Sequence, residues 1–170
     1  MANTSVRINI RGDADLSQLI SRAEDLGGRK VTVGPQGTRN RNLAKIHEYG
    51  VVIQVTPKMR AFLASQGLHL KPTTTTITIP ERSFIRNGWD THANGILNVV
   101  EREVIKFVHD ESDVNEVLDL AGDETASIIR FFARELRNPA LNPFTIERKG
   151  SNDPLIESGK MVDSIDYETS

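Results

Sequence analysis

The first third of the chain alternates β-prone runs with helical periodicity. Residues 6–10 alternate apolar and polar side chains, which predicts a half-buried strand. Apolar residues recur at helical spacing from residue 16 to 26, so we predict a helix with Asp15 as its N-cap and Gly27-Gly28 at its end. Residues 30–33 are predicted to form a second strand.

The middle of the chain predicts a β-hairpin with a helix inserted between its arms. Residues 51–55 and 73–79 are rich in β-branched side chains and form the two arms. Pro57 suits the first turn of a helix that runs to Gly67, with Thr56 as its cap. A two-turn helix over residues 43–49 precedes the hairpin.

Two longer helices are predicted next. One spans residues 90–109. The other begins after Asp113, which forms a capping box with Glu116, and continues to Arg137 with a kink or break at Gly122.

The C-terminal region is predicted to be mostly loop. A helical turn capped by Ser158 and a last strand at residues 165–168 follow this loop. The whole pattern predicts an α+β fold, with a small, mainly antiparallel sheet that includes a β-hairpin and is flanked by two longer helices. We expect a single domain over residues 1–170, with 34–42 and 139–157 as loops.

The composition of the chain excludes several kinds of site and of protein. The chain has no cysteine, which excludes disulfides, thiolate metal sites and cysteine nucleophiles. Aromatic residues make up 5%, so the core must consist mainly of Ile, Val and Leu. No stretch is as long and apolar as a membrane helix requires, and residues 1–15 do not have the pattern of a signal peptide. We therefore expect a soluble, non-secreted protein that is made in the reducing cytosol and has no membrane partner.

Charge is distributed unevenly. The net charge is −2, which argues against a dedicated DNA-binding domain. Residues 29–45 nevertheless contain five basic and no acidic residues, whereas residues 101–124 contain nine acidic and two basic ones. Two solvated surfaces are the simpler interpretation. The alternative is head-to-tail complementarity between neighbouring copies.

Motifs that carry chemistry are missing from the sequence. It contains no phosphate-binding glycine loop, zinc-protease motif or nucleophile elbow. His47-Glu48 could be an acid–base pair, but a structural role is the more common one for such neighbours. We predict no catalytic residue, no metal site and no cofactor.

Three motifs occur in a fixed order: Ile46-His-Glu-Tyr-Gly50, Ile79-Pro-Glu-Arg-Ser-Phe-Ile-Arg86 and Pro154-Leu-Ile-Glu-Ser-Gly-Lys-Met-Val-Asp-Ser-Ile165. This set resembles the tail-completion and virion-morphogenesis proteins of long-tailed bacteriophages, over residues 43–168. Glu81 and Ser83 depart from the Ala and Pro that are often found around the arginine of the second motif. On physical grounds Gly50 permits the positive φ that a direct helix-to-strand turn needs. Arg82 can tie its loop to backbone carbonyls or a carboxylate, with Phe84 as an anchor.

The resemblance implies a structural virion protein of the phage neck. Such proteins form a ring, expected here to be a homohexamer, between the head connector or stopper and the tail terminator or tail tube. DNA would pass through the lumen without specific binding. The candidate partner-contact residues are Arg39, Arg41, Lys58, Arg60, Arg82, Phe84, Arg148 and Lys149. Two alternatives stay open: a tail terminator that caps the tail tube, and a nucleic-acid-binding module based on residues 29–45.

Overall fold

Helices dominate the described part of the chain. The computed structural model describes residues 16–109 and 112–170, so the strand predicted at residues 6–10 and the Asp15 cap lie outside it. The helices are α1 Leu16–Gly27, α2 Thr38–Tyr49, α3 Pro57–Ser65, α4 Phe84–Val108, α5 Val114–Glu135, α6 Pro143–Lys149 and α7 Lys160–Asp163. The strands are β1 Val31–Pro35, β2 Val51–Gln54, β3 Thr76–Ile79 and β4 Ile165–Thr169.

The predicted α+β class is confirmed, although the strands form two small sheets. Each sheet is an antiparallel pair, with β1 beside β4 and β2 beside β3. Lys30 and Ser170 exchange both backbone hydrogen bonds at the end of the first pair, as antiparallel partners do. No helix in the described ranges is long and apolar enough to cross a membrane.

The chain divides into two compact units. The first contains the described residues up to Gly34, Trp89–Ile128 and Asp166–Ser170, and the second contains Pro35–Gly88 and Ile129–Ile165. Both units therefore combine segments that are distant in sequence. The expectation of one domain over the whole chain stays a prediction.

An aliphatic and aromatic core holds the first unit together. Phe107, Val117 and Leu118 are buried in one cluster, against which Leu19 and Leu26 of α1 pack. On α4 the cluster takes Val104, Phe107 and Val108, and on α5 Val114, Val117 and Leu118, at spacings of three and four residues, so each of these helices buries one stripe. The capping box at the start of α5 is confirmed: Asp113 accepts hydrogen bonds from the amides of residues 115 and 116, and its own amide donates to Glu116.

Helix α5 continues through Gly122 without the predicted break. The glycine has a packing role, because a β-carbon at this position would lie 2.3 Å from the Tyr167 ring. The Tyr167 hydroxyl donates to Asp119, one helical turn earlier, at 3.2 Å. Gly122 is therefore the residue that lets β4 place an aromatic ring directly on the helix backbone.

The predicted hairpin with its inserted helix is confirmed in the second unit. Val51 pairs with Ile79 and Gln54 with Thr76. Thr56 caps α3 by accepting a hydrogen bond from the Met59 amide, and Pro57 occupies the first turn. The sequence signal for this helix start was therefore correct.

Two predicted loops contain helices, and one predicted cap is absent. Helix α2 begins at Thr38, inside the predicted loop 34–42, and its N-terminus has no side-chain cap to signal it. Helix α6 lies inside the predicted loop 139–157, with Asn142 capping it through the Phe144 amide. Ser158 does not cap α7, since left-handed Gly159 occupies the N-cap position without a side-chain hydrogen bond. Helix α4 also begins earlier than predicted, at Phe84.

Replacing Gly122 with alanine is expected to destabilise the protein. The methyl group would meet the Tyr167 Cβ and ring atoms, and overpacking of this kind costs roughly 1–3 kcal/mol. That cost exceeds the gain of about 1 kcal/mol in helix propensity. Urea unfolding followed by circular dichroism measures the difference. The matched control is Gly95→Ala in α4, where the new methyl has no atom within 4 Å and should stabilise. Equal stabilisation by both variants would contradict this packing role.

Candidate functional site

An open groove with a volume of about 1020 Å³ lies within the second unit. Helix α2, strand β3 and the segment from Ala140 to Met161 contribute its walls. Leu63, Leu68 and Leu70 add apolar surface from the hairpin connection. This volume is at the upper end of the roughly 300–1,000 Å³ that small-molecule pockets occupy. The groove is therefore large enough for an extended ligand.

The polar lining of the groove is mainly cationic. Among its described lining residues, one is anionic, Glu157, and five are cationic: Arg39, Arg82, Arg148, Lys149 and Lys160. Burial lowers the pKa of Lys149, an effect that Glu157 and Asp153 oppose and Arg82 reinforces. Lys149 also donates to the backbone carbonyl of Asp153. The excess of cations over anions favours an acidic ligand.

The groove brings together half of the predicted contact residues. Arg39, Arg148 and Lys149 line it, and the first two are exposed. Arg82 also lines it but is 4% exposed. Its guanidinium donates to the carbonyls of Pro139 and Ala140 at 2.8 and 3.1 Å, so it holds the chain after α5 in place. The prediction that Arg82 ties its loop to backbone carbonyls is confirmed.

The other predicted residues lie elsewhere. Phe84 is fully buried in the core, which corrects its candidacy as a partner contact. Arg60 donates to the carbonyls of Leu70, Lys71 and Thr74 and thereby fixes the connection that leads into β3. Arg41 donates to the Pro35 carbonyl and the Gln36 side chain. Lys58 is exposed on α3, outside the groove lining.

Sequence reasoning missed Lys160 and the wall formed by α6. The signal for α6 was present, because Asn142-Pro143 repeats the cap-and-proline pattern that was read correctly at Thr56-Pro57. Lys160 lies within the third motif, but its place in the groove depends on the tertiary fold.

Glu48 is a buried carboxylate that caps a helix distant in sequence. It is 4% exposed and accepts hydrogen bonds from the backbone amides of Ile85 and Arg86 at 2.9 and 3.0 Å. The Ser83 hydroxyl and the Arg86 guanidinium also donate to it, at 2.8 and 3.0 Å. These donors satisfy the free amides at the start of α4 and place a negative charge at the positive end of the helix dipole.

The pKa of Glu48 follows from this geometry. Burial by itself raises the pKa of the carboxyl, but the hydrogen bonds from Ile85, Arg86 and Ser83 outweigh burial and hold the pKa below its ordinary value. The carboxylate is thus held in its charged form by donors that α2 and α4 bring together.

Two neighbours of Glu48 in the first motif also contact the second motif. The Arg86 guanidinium lies 4.9 Å from the centre of the Tyr49 ring. Gly50 has a φ of 66°, and a β-carbon there would lie 2.8 Å from the Glu81 backbone nitrogen. The predicted positive φ at Gly50 is confirmed. The glycine has a second role, because it allows two backbone segments to approach closely.

His47 lines the groove in its neutral form. Burial, followed by the charges of Arg82 and Lys149, lowers the pKa of His47 from 6.5 to about 4. Its backbone carbonyl accepts a hydrogen bond from the Arg82 amide at 2.6 Å. Glu48, its partner in the hypothetical acid–base pair, is committed to the start of α4. The geometry therefore favours a structural role for the His47-Glu48 pair.

Among the described residues, no group of three or more His, Asp or Glu side chains is arranged to hold a metal ion. Comparison with protein-family models, with curated proteins and with solved structures finds no match to this chain.

Replacing Glu48 with glutamine is expected to destabilise the protein by roughly 1–3 kcal/mol at neutral pH, because a neutral amide presents a donor to groups that themselves donate. The matched control is Glu81→Gln, which removes an exposed carboxylate from Arg86 and should change stability by less than about 0.5 kcal/mol. Urea unfolding measures both variants.

The pH dependence of the Glu48→Gln effect has a defined sign. The folded-state pKa of Glu48 is lowered, so its contribution is present above the ordinary value of 4.5 and is lost as pH falls through the folded-state pKa. The difference from the parent chain should therefore narrow on acidification. A difference that is independent of pH would contradict the carboxylate cap.

The lowered pKa of His47 should make the free energy of unfolding decrease as pH falls from 6.5 to about 4. In this window the unfolded chain binds a proton at His47 and the folded chain does not, so folding is penalised on acidification. His47→Gln removes this protonation, and its unfolding free energy should fall less steeply over the same window. Histidine NMR titration, with the resonance assigned by its loss in His47→Gln, provides the direct check. A midpoint near 6.5 would contradict the assigned environment.

Proposed function

We propose that this chain is a structural neck protein of a long-tailed phage, which joins the DNA-filled head to the tail as one subunit of a homohexameric ring. The supporting observation is the way in which the three motif segments meet. Glu48 of the first motif accepts three kinds of hydrogen bond from the second motif, and Leu155 and Met161 of the third line the groove beside His47. The first and second motifs are thus joined by hydrogen bonds, and the first and third both contribute residues to the open groove.

The character of that surface favours docking over catalysis. The groove is wide, its cations outnumber its anions, and the carboxylate of the His47-Glu48 pair caps helix α4. Several large apolar side chains of the second unit are also exposed, including Tyr49 at 65%, Val52 at 61% and Phe131 at 59%. Aromatic and arginine side chains are enriched in protein–protein contacts. These features suit a subunit that works through its surfaces.

A ring also suits the charge distribution. Acidic residues concentrate on α4 and α5, whereas the groove of the second unit is cationic. Unlike surfaces on one chain favour heterologous contacts between copies, and such contacts close into a ring when the rotation per subunit allows it. Of the four predicted contact residues that line the groove, Arg82 is buried, so Arg39, Arg148 and Lys149 become its contact candidates toward a neck partner.

Two alternatives lead to different outcomes. A tail terminator would be a ring of similar architecture that caps the tail tube. A nucleic-acid-binding module would use the basic residues 29–45. However, Arg29 pairs with Asp25 at 2.9 Å and Arg41 donates within its own segment, so this sequence cluster includes charges that already have protein partners.

Deleting the gene should produce full heads beside free tails of normal length, because both structures complete their own assembly and fail only to join. Over-long tails would assign the chain to the terminator role. Electron microscopy of the lysate makes this distinction. Labelling of the chain in purified virions should place it in the neck, and its absence from mature particles would overturn the proposal.

A further inference from the structure

In the part of the chain that the structure describes, strand β3 has one edge without a strand partner. It belongs to a two-stranded sheet and pairs with β2 on one side. An unpaired strand edge presents a row of backbone donors and acceptors that another extended chain can bind.

The register identifies the groups. The Val55 amide donates to the Thr75 carbonyl, so residues 55 and 75 form a hydrogen-bonded pair. Because such pairs alternate along an antiparallel ladder, Gln54–Thr76 and Val52–Thr78 are the pairs without hydrogen bonds. The backbone groups of Thr76 and Thr78 consequently point away from β2. In the described ranges, no hydrogen bond to them is present.

The groove runs along this same edge. Its lining includes the four consecutive residues of β3, Thr76–Ile79. Consecutive side chains of a strand point to opposite faces of a sheet, so a groove that contacts all four follows the strand edge and is not confined to one face. The groove lining also includes exposed Arg148 and Lys160, together with Leu141 and Phe144.

We propose that the outer edge of β3 binds an extended acidic segment of a neck partner by strand addition. Backbone groups of that segment pair with Thr76 and Thr78, its carboxylates contact Arg148 and Lys160, and its alternate apolar side chains fill the groove. Main-chain pairing provides affinity in this mode, and the alternating side chains provide specificity. The inference rests on the proposed function in that the segment belongs to a head or tail protein.

The chain's own acidic surface does not fit this edge. The described acidic residues between positions 101 and 124 lie on or next to α4 and α5, whose backbone groups are used within the helices. Single-stranded nucleic acid fits less well. The apolar lining is mainly aliphatic, with Phe144 as its aromatic ring, whereas such binding uses several aromatic platforms.

Labelled peptides test the proposal on the full chain by fluorescence anisotropy. The probe is acetyl-Glu-Val-Glu-Ile-Glu-Val-Glu-amide, and its lysine counterpart and oligothymidine are the comparisons. We expect the acidic peptide to bind and both comparisons to bind at least about tenfold more weakly. Two further peptides carry backbone N-methyl groups on alternate residues, one for each edge of the peptide. Only one edge of the peptide can pair with β3. The peptide that is methylated on that edge should therefore bind at least about tenfold more weakly, and the other should bind as the parent peptide does.

Variants with matched controls locate the binding site. Arg148→Glu combined with Lys160→Glu should weaken acidic-peptide binding by roughly tenfold, whereas Lys45→Glu combined with Lys58→Glu, outside the groove lining, should leave it unchanged. Thr78→Pro removes an outward amide of β3 and should weaken binding about fivefold. Val52→Pro removes the corresponding outward amide of β2 and should have no effect on binding. Circular dichroism confirms that each variant folds.

The outcomes separate this inference from the proposed function. Equal effects of both N-methylated peptides, or preferential binding of oligothymidine, would overturn strand addition. Loss of self-assembly in Arg148→Glu/Lys160→Glu, with peptide binding retained, would make the groove a contact between copies and also overturn it. Peptide binding by a chain that is absent from virions would support strand addition while the neck function fails. If the chain is located in the virion neck but does not bind the acidic peptide, the proposed function is supported and strand addition is overturned.

Discussion

The second unit depends on one buried charge. Glu48 comes near the end of α2, and its carboxylate meets the first amides of α4, more than thirty residues later. A buried carboxylate is costly unless donors surround it, and here two backbone amides, a hydroxyl and a guanidinium do so. The same contact fixes where α4 begins, which in turn positions Phe84 in the core and Arg82 against the carbonyls of residues 139 and 140.

This constraint explains why the family-like motifs are mostly architectural. The Arg86 guanidinium lies over the Tyr49 ring, and the Ser83 hydroxyl donates a hydrogen bond to Glu48. Because Gly50 has no side chain, the backbone at Glu81 can approach it closely. Of the pair considered for acid–base chemistry, Glu48 holds the second motif through its carboxylate and His47 through its backbone carbonyl, which accepts from the Arg82 amide. The residues left for recognition are those at the margins of this framework, such as Arg148 and Lys160, whose charges reach the groove. A rigid frame with recognition residues at its margins suits the proposed neck role, in which the chain would contact unlike partners on two sides.

The groove and the outer edge of β3 belong to the same surface, because all four residues of β3 line the groove. A two-stranded sheet leaves two outer edges, and in β3 one of them lies along a cationic and aliphatic depression. Unprotected edges promote aggregation, and natural proteins usually cover or charge them. Cations beside the edge disfavour pairing with the like edge of another copy and favour an acidic strand, which is the occupant that we propose.

Local signals in the sequence determined the α+β class, the hairpin, the capping box at Asp113, the Thr56-Pro57 helix start and the positive φ at Gly50, because each depends on neighbours within a few residues. Only the tertiary structure decided the beginnings of α2 and α4, since α2 has no side-chain cap and the cap of α4 comes from Glu48. It also decided that Gly122 accommodates Tyr167 and that Phe84 is core. The groove could not be predicted from the sequence, because its cations come from α2, α6, α7 and the segment between β3 and α4, which meet only through long-range packing.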